Sequence, residues 1–154
     1  MSILSFFKKK DEFFTVEERQ QIVNAVCDAE KMTSGEVRVF VESNCSFVDA
    51  IDRATELFFK MEMDKTKDRN AVLLYIAMKD KQLAVFGDVG IHQKVGSDYW
   101  NREVVKMISN FNKENYAAGI CEVVADIGES LTQYFPYNND TDKNELPDEI
   151  VFGK

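Results

Sequence analysis

The chain has 154 residues, of which 45% are hydrophobic and 30% are charged, so it is long enough to bury one core. Its formal net charge of −8 argues against nucleic acid as a ligand, because phosphate binding requires clustered lysine and arginine side chains. No run of about 18 apolar residues occurs, and we therefore expect no membrane span.

The first 14 residues read as a leader. Apolar residues between Ile3 and Phe7 precede Lys8–Lys10, whereas in a signal peptide the basic residues come first. The leader is therefore a flexible arm, an arm that packs its phenylalanines on the domain, or an arm that touches a membrane. Three cysteines without a CxxC spacing indicate reduced thiols, and we expect a cytoplasmic protein.

Helix and strand signals alternate through the first half of the chain. Thr15 and Glu18 form a capping box, which predicts a helix that ends between Lys31 and Gly35. Val37, Val39 and Val41 alternate with Arg38, Phe40 and Glu42, which predicts a strand. Helical spacing returns from about Phe47 to Met63.

A hairpin and two helices follow. Ala71–Met78 is a continuous apolar run, typical of a central strand that is buried on both faces. A polar turn then leads to a strand at Leu83–Phe86, and Gly87–Gly90 is predicted to break it. Apolar residues recur at helical spacing from Trp100 to Phe111 and from Tyr116 to Tyr134.

This order predicts an α/β fold. The first two strands flank a helix and should be parallel, and the third should pair antiparallel to the second. We expect a small mixed sheet sandwiched between helices on both faces. The predicted parts are a leader over 1–14, a domain over 15–136, and an acidic, flexible tail over 137–154 in which Ile150–Phe152 is the apolar exception.

Polar residues at three strand ends are expected to meet at one edge of this sheet. Glu36 opens the first strand, Asp68 and Asn70 precede the second, and Asp88 follows the third. Carboxylate and amide oxygens are suitable ligands for Ca²⁺ or Mg²⁺, and these four residues form the predicted metal site. In the alternative interpretation, Arg69 pairs with Asp88 or Glu36 in a structural ion-pair network.

Other kinds of site have weaker support. The carboxyl ends of the parallel strands offer a second candidate, Glu42–Asn44 with the turn at Asp80. Neither a phosphate-binding loop nor a dinucleotide fingerprint occurs. His92 is the only histidine, so a histidine cluster cannot hold a metal.

Several segments, in order and at suitable spacing, resemble the TPM domain family. They are Thr33–Val39, Thr66–Ala77, Gly87–Ile91, Trp100, Tyr116–Ile120 and Gly128–Pro136. The similarity covers about residues 15–136, and Ala71 departs from it where relatives often carry glycine.

The resemblance implies a mixed α/β sandwich. Some plant lumenal members bind divalent cations and have acid phosphatase activity, and others act in photosystem repair or modulate membrane receptors. Many members carry a signal peptide and a membrane helix, whereas this chain resembles the stand-alone bacterial type.

Two functions from different classes follow. The favoured one is a non-catalytic module that binds Ca²⁺ or Mg²⁺ and recognises a protein partner, in a monomer. The alternative is a cation-dependent phosphatase in which Asp88, Asp68 or Glu36 holds metal and water. The first is favoured because no nucleophile or general base is apparent, and because Arg69 is the only evident cation near the site to balance a phosphate ester.

Overall fold

The computed structural model describes residues 13–46, 49–137 and 150–153. Within these ranges the chain forms five helices and four strands. The helices are α1 (Val16–Glu30), α2 (Ala50–Lys60), α3 (Val89–Val95), α4 (Ser97–Asn112) and α5 (Tyr116–Tyr134), and the strands are β1 (Glu36–Glu42), β2 (Ala71–Ala77), β3 (Gln82–Gly87) and β4 (Val151–Phe152).

The strands form one mixed sheet in the order β3-β2-β1-β4. β1 and β2 are parallel, with Glu36 opposite Ala71, and β2 and β3 are antiparallel, with Val72 opposite Gly87. All seven residues of β2 are buried, as its continuous apolar run predicted. The predicted parallel pair and hairpin are therefore confirmed.

Helices cover both faces of the sheet, as predicted. One face packs against α1, α4 and α5 and buries side chains such as Val39, Leu74 and Ile127. The other face packs against α2 and buries Leu73 and Phe58. The sheet is consequently the middle layer of three, and the ends of its strands are the places where polar side chains can gather.

The start of α1 follows from a strong local signal. The Thr15 side chain accepts a hydrogen bond from the amide of Glu18, and the Glu18 side chain accepts one from the amide of Thr15. This capping box starts α1 at the predicted residue and satisfies two amides that the helix itself cannot bond. Just before it, Phe14 is buried in the core.

Two elements, the helix α3 and the strand β4, were not predicted from the sequence. The segment Gly87–Gly90, predicted only to break β3, leads directly into α3, because the Asp88 side chain caps the helix by accepting from the amide of Val89. The apolar residues Ile150–Phe152 dock on the domain, and Val151 pairs with Phe40 as part of a fourth strand parallel to β1.

The remaining expectations for the termini concern residues outside the described part of the chain. The leader lies there up to residue 12, and so do residues 138–149 of the tail. Across the three described ranges, none of the helices combines the length and the apolar character that a bilayer crossing requires.

Candidate functional site

Three of the four predicted site residues lie at one edge of the sheet. Glu36 starts β1, Asn70 precedes β2 and Asp88 follows β3. Their strand ends are joined by backbone hydrogen bonds, from the Glu36 amide to the Asn70 carbonyl at 3.4 Å and from the Asp88 amide to the Ala71 carbonyl at 2.9 Å. All three residues are at most 2% exposed, so their polar groups are held inside the protein.

Asp68 is placed differently from these three. It lies in the loop between α2 and β2, and its side chain is exposed. Among the residues that the structure describes, no group of three or more histidine, cysteine, aspartate or glutamate side chains is arranged to hold a metal ion. Glu36, Asn70 and Asp88 therefore share an edge, but with Asp68 exposed on the loop the four predicted ligands do not converge as a ready metal cage.

Arg69 makes a bidentate ion pair with Asp88. Its Nε and Nη2 donate to Oδ2 and Oδ1 at 2.6 and 2.8 Å, and the hydrogen bonds to Asp88 raise the pKa of Arg69 above its ordinary value. Asp88 is buried, whereas the side chain of Arg69 is 41% exposed. This is the pairing that the ion-pair interpretation of the sequence anticipated, and it occupies both oxygens of Asp88.

Asn70 carries an unsatisfied oxygen at the same edge. Its amide nitrogen donates to the Ser34 hydroxyl at 3.2 Å, and its backbone amide donates to the Thr66 hydroxyl at 3.3 Å. The side-chain Oδ1 is buried and has no hydrogen-bond partner within the described ranges. A buried carbonyl oxygen without a donor is costly, and a cation would relieve that cost.

A cavity of about 670 Å³ opens beside this edge. It runs along β3 from the start of α2 at Asp49 to Arg69, Asp88 and His92. Its walls come from α2 and α4, and its lining also includes Phe59, Trp100, Asn101 and Val104. No local pattern in the sequence indicates this cavity, because its lining residues are drawn from four separate elements.

His92 has a defined role in the wall of the cavity. The indole Nε1 of Trp100 donates to its Nδ1 at 3.0 Å. Since Nδ1 accepts this bond, the neutral ring carries its hydrogen on Nε2, which is the nitrogen left to donate to a ligand.

The second candidate site consists of groups that satisfy one another. Asp80 accepts from the Asn44 side chain at 2.9 Å and from the Cys45 amide at 2.7 Å, and these bonds lower the pKa of Asp80. Buried Glu42 accepts from both Nε and Nη2 of Arg53 and from the hydroxyl of Tyr75. These bonds brace the carboxyl ends of the strands, and a structural role accounts for them.

A buried carboxyl between α4 and α5 was not singled out from the sequence. Glu103 is 3% exposed, and burial together with the neighbouring carboxylate of Asp126 raises the pKa of Glu103 to about 7. The ammonium group of Lys106 lies 2.6 Å from Asp126 but 3.7 Å from Glu103. Lys106 therefore compensates Asp126 more strongly than it compensates Glu103.

Replacing Glu103 with glutamine should flatten the pH dependence of stability. The folded-state pKa lies above the unfolded value, so the contribution of protonated Glu103 is full below about pH 4.5 and is lost as the pH rises through 7. Between pH 5 and pH 8 the parent chain loses a contribution to the unfolding free energy that Glu103→Gln does not lose. The change in unfolding free energy from pH 5 to pH 8 should therefore be roughly 1–2 kcal/mol more favourable in Glu103→Gln than in the parent chain. Urea unfolding at both pH values measures this difference.

The exposed residue Glu129 on α5 supplies the control for this measurement. Glu129→Gln removes the same charge from the surface, and it should leave the difference between the two pH values close to that of the parent chain. An identical pH response in Glu103→Gln and Glu129→Gln would mean that Glu103 titrates as an ordinary surface carboxyl.

Comparison with solved structures places this architecture among known ones. The chain is 40% identical to the BA42 protein from the psychrophilic bacterium Bizionia argentinensis, with a TM-score of 0.85, and the match covers 95% of this chain and 99% of that one. Two more distant structures share the fold. They are the N-terminal domain of the cg2496 protein from Corynebacterium glutamicum and the N-terminal domain of a protein from P. gingivalis.

The distant pair show the fold alone. The Corynebacterium domain is 12% identical with a TM-score of 0.63, covering 79% of this chain and 76% of that one. The P. gingivalis domain is 15% identical with a TM-score of 0.66, covering 82% and 81%. No significant match is found among curated proteins. The model of the TPM domain matches residues 8–130, and the chain therefore belongs to the TPM domain family.

Proposed function

We propose that this TPM domain is a non-catalytic interaction module that binds a divalent cation, Ca²⁺ or Mg²⁺, beside Asp88. The observation that carries the proposal is the buried oxygen of Asn70, which has no hydrogen-bond donor within the described ranges and lies at the same sheet edge as Glu36 and Asp88. Hard oxygen ligands of this kind suit both cations.

The ion pair with Arg69 sets a condition on this proposal. Both Asp88 oxygens already accept from the guanidinium, so a cation must compete with Arg69 for the carboxylate. Arg69 is 41% exposed and can move toward solvent at modest cost, whereas Asp88 is buried and stays in place. Exposed Asp68, on the loop that carries Arg69, supplies a further carboxylate.

Titration of the ¹⁵N-labelled chain with Ca²⁺ and with Mg²⁺ tests the proposal. We expect saturable shifts in the amides of Glu36, Asn70 and Asp88, together with a rise in melting temperature, since a ligand that binds only the folded state stabilises it. Arg69→Gln should tighten binding several-fold by removing the competitor. Lys94→Gln, which removes an exposed charge from α3, should change it little.

The titration also has a clear negative outcome. If the amide resonances at the sheet edge respond to neither cation, in the parent chain and in Arg69→Gln alike, the cation proposal fails. The edge residues then form a structural ion-pair network and nothing more.

The alternative function is a cation-dependent phosphatase. It is favoured by one feature, namely that Arg69, Asp88 and His92 line the same cavity. Hydrolysis of p-nitrophenyl phosphate that requires a divalent cation, stops with chelator and is lost in His92→Gln would support it. Absence of turnover, with cation binding retained, favours the interaction module.

A further inference from the structure

β3 is the outermost strand on one side of the sheet, and its long side facing away from β2 is open. We call this side the open edge of β3, as distinct from the sheet edge at which the strand ends meet. β3 pairs with β2 on one side, and no strand among the described residues pairs with its other side. The Asp88 amide donates to the Ala71 carbonyl, and in an antiparallel ladder inward- and outward-pointing residues alternate. The N–H and C=O groups of Leu83, Val85 and Gly87 therefore point away from the sheet.

The cavity lies along this open edge. Five consecutive residues of β3, from Leu83 to Gly87, line it. Successive side chains of a strand point to opposite faces, so consecutive residues can line one cavity only if it runs beside the backbone. α2 forms one wall with Phe59 and α4 forms the other with Trp100, which leaves a groove whose floor is an unpaired strand.

The direction of α2 along the groove follows from two contacts. Arg53, near the start of α2, pairs with Glu42, and Glu42 lies opposite Ala77, which lies opposite Gln82. Phe59, near the end of α2, has its ring centroid 6.2 Å from that of Phe86. α2 therefore runs from the Gln82 end of β3 to the Gly87 end.

The two ends of the groove consequently differ in the polar groups that they offer to a ligand. Asp49 lies at the Gln82 end and makes no capping hydrogen bond with its side chain. The Gly87 end holds donors: Arg69, whose Nη1 makes no hydrogen bond in the part of the chain that the structure describes, the Nε2 of His92, and Asn101. The Asp88 carboxylate also lines this end, and both of its oxygens already accept from Nε and Nη2 of Arg69. A ligand carboxylate can accept from the free donors at the Gly87 end, whereas at the Gln82 end it meets the carboxylate of Asp49.

We propose that the groove binds an extended peptide that ends in a free carboxylate. The peptide adds a strand beside β3 and bonds to the outward groups of Leu83, Val85 and Gly87. It runs parallel to β3, so that its carboxylate reaches Arg69 and His92 and its apolar side chains contact Phe59 and Trp100. This inference rests on the interaction part of the proposed function and names the class of partner.

Defined peptides test the proposal on the full chain. The probe is a pool of N-acetylated hexapeptides that alternate Val, Ile or Phe with Thr, Ser or Lys and end in a free carboxylate. The matched probe is the same pool with C-terminal amides. We expect the acid pool to bind about tenfold more tightly, to shift the amides of Leu83, Val85 and Gly87, and to slow their hydrogen exchange.

Variants of the protein and of the peptide isolate the two recognition elements. Arg69→Gln should abolish the preference for acid over amide, while Lys94→Gln retains it. Peptides that are N-methylated at alternate positions lack backbone donors at those positions, and they test the strand pairing without any change to the protein. One of the two alternating sets should lose binding more than tenfold and the other should keep it, because only every second residue faces β3.

Four outcomes overturn the proposal. They are no binding of the acid pool, equal binding of acid and amide pools, equal loss with both N-methylated sets, and protection of the β3 amides without peptide. If that protection rises with protein concentration, a second copy occupies the groove, and if it disappears when residues 1–12 are deleted, the leader does. Each titration is run with Ca²⁺ and with chelator, so peptide binding that persists in chelator upholds this inference even where the cation proposal fails.

Discussion

Replacement of Arg53 with methionine is expected to lower the free energy of unfolding by about 3 kcal/mol. Arg53 donates to both oxygens of Glu42 at 2.9 and 3.0 Å, and the side chain of Glu42 is only 5% exposed. Removal of the guanidinium leaves a buried carboxylate whose remaining hydrogen-bond donor, among the described residues, is the Tyr75 hydroxyl. The expected loss lies at the lower end for buried pairs because Arg53 itself is 18% exposed.

Two companion variants separate charge burial from simple loss of contacts. Glu56 also accepts from Arg53, but it is 48% exposed, so Glu56→Gln should cost less than about 1 kcal/mol. Adding Glu42→Gln to Arg53→Met should recover more than about 1 kcal/mol, because the buried group is then neutral. Chemical unfolding measures all four chains. Equal losses in Arg53→Met and Glu56→Gln would contradict the assignment of Glu42–Arg53 as a structural pair.

The hydroxyl of Tyr75, which is the other donor to Glu42, has a shifted pKa. Burial, followed by the hydrogen bond to Glu42, raises the pKa of Tyr75 above its ordinary value. Tyr75 is therefore protonated at neutral pH and donates to Glu42 there.

Gly90→Ala is expected to destabilise the fold by about 2 kcal/mol, although alanine is the better helix former. A Cβ at this position would lie 2.1 Å from the carbonyl oxygen of Asp68 and 2.6 Å from that of Arg69. Both are backbone atoms, and relieving the overlap requires the loop to move away from α3, at a cost of about 1–3 kcal/mol. The gain of about 1 kcal/mol in helix propensity offsets only part of this.

The displacement should also be visible at the candidate site. The amide of Gly90 donates to the Arg69 carbonyl at 2.8 Å, and Arg69 holds Asp88. We therefore expect the amide resonances of Arg69 and Asp88 to shift in Gly90→Ala. Gln93→Ala, an exposed change in the same helix, should leave both resonances in place. A more stable Gly90→Ala protein would show that helix propensity outweighs the steric overlap.

Local signals in the sequence were sufficient for most of the secondary structure. The capping box of Thr15 and Glu18 requires only residues three positions apart, and it starts α1 where predicted. The apolar run of β2 is of strand length and is typical of a central strand, because a strand covered on both faces buries every side chain. Strand order and direction then bring Glu36, Asn70 and Asp88 to one edge without knowledge of any side-chain contact.

Elements stabilised by distant residues were harder to predict. β4 has two residues, too few for a periodic pattern, and it exists because β1 offers an edge to Val151. α3 has seven residues, and its start depends on Asp88, which also receives Arg69 from another loop. Short segments such as these gain little from intrinsic propensity, so tertiary contacts decide their conformation.

The amino-acid sequence by itself therefore determined the α/β class, the central strand and the edge at which polar residues meet, because periodicity and strand direction are properties of short segments. Tertiary structure alone decided that Arg69 takes both oxygens of Asp88, that Asp68 stands apart in solvent, and that a groove follows the open edge of β3. Those features depend on the packing of α2, α3 and α4 around one strand, which no local pattern encodes.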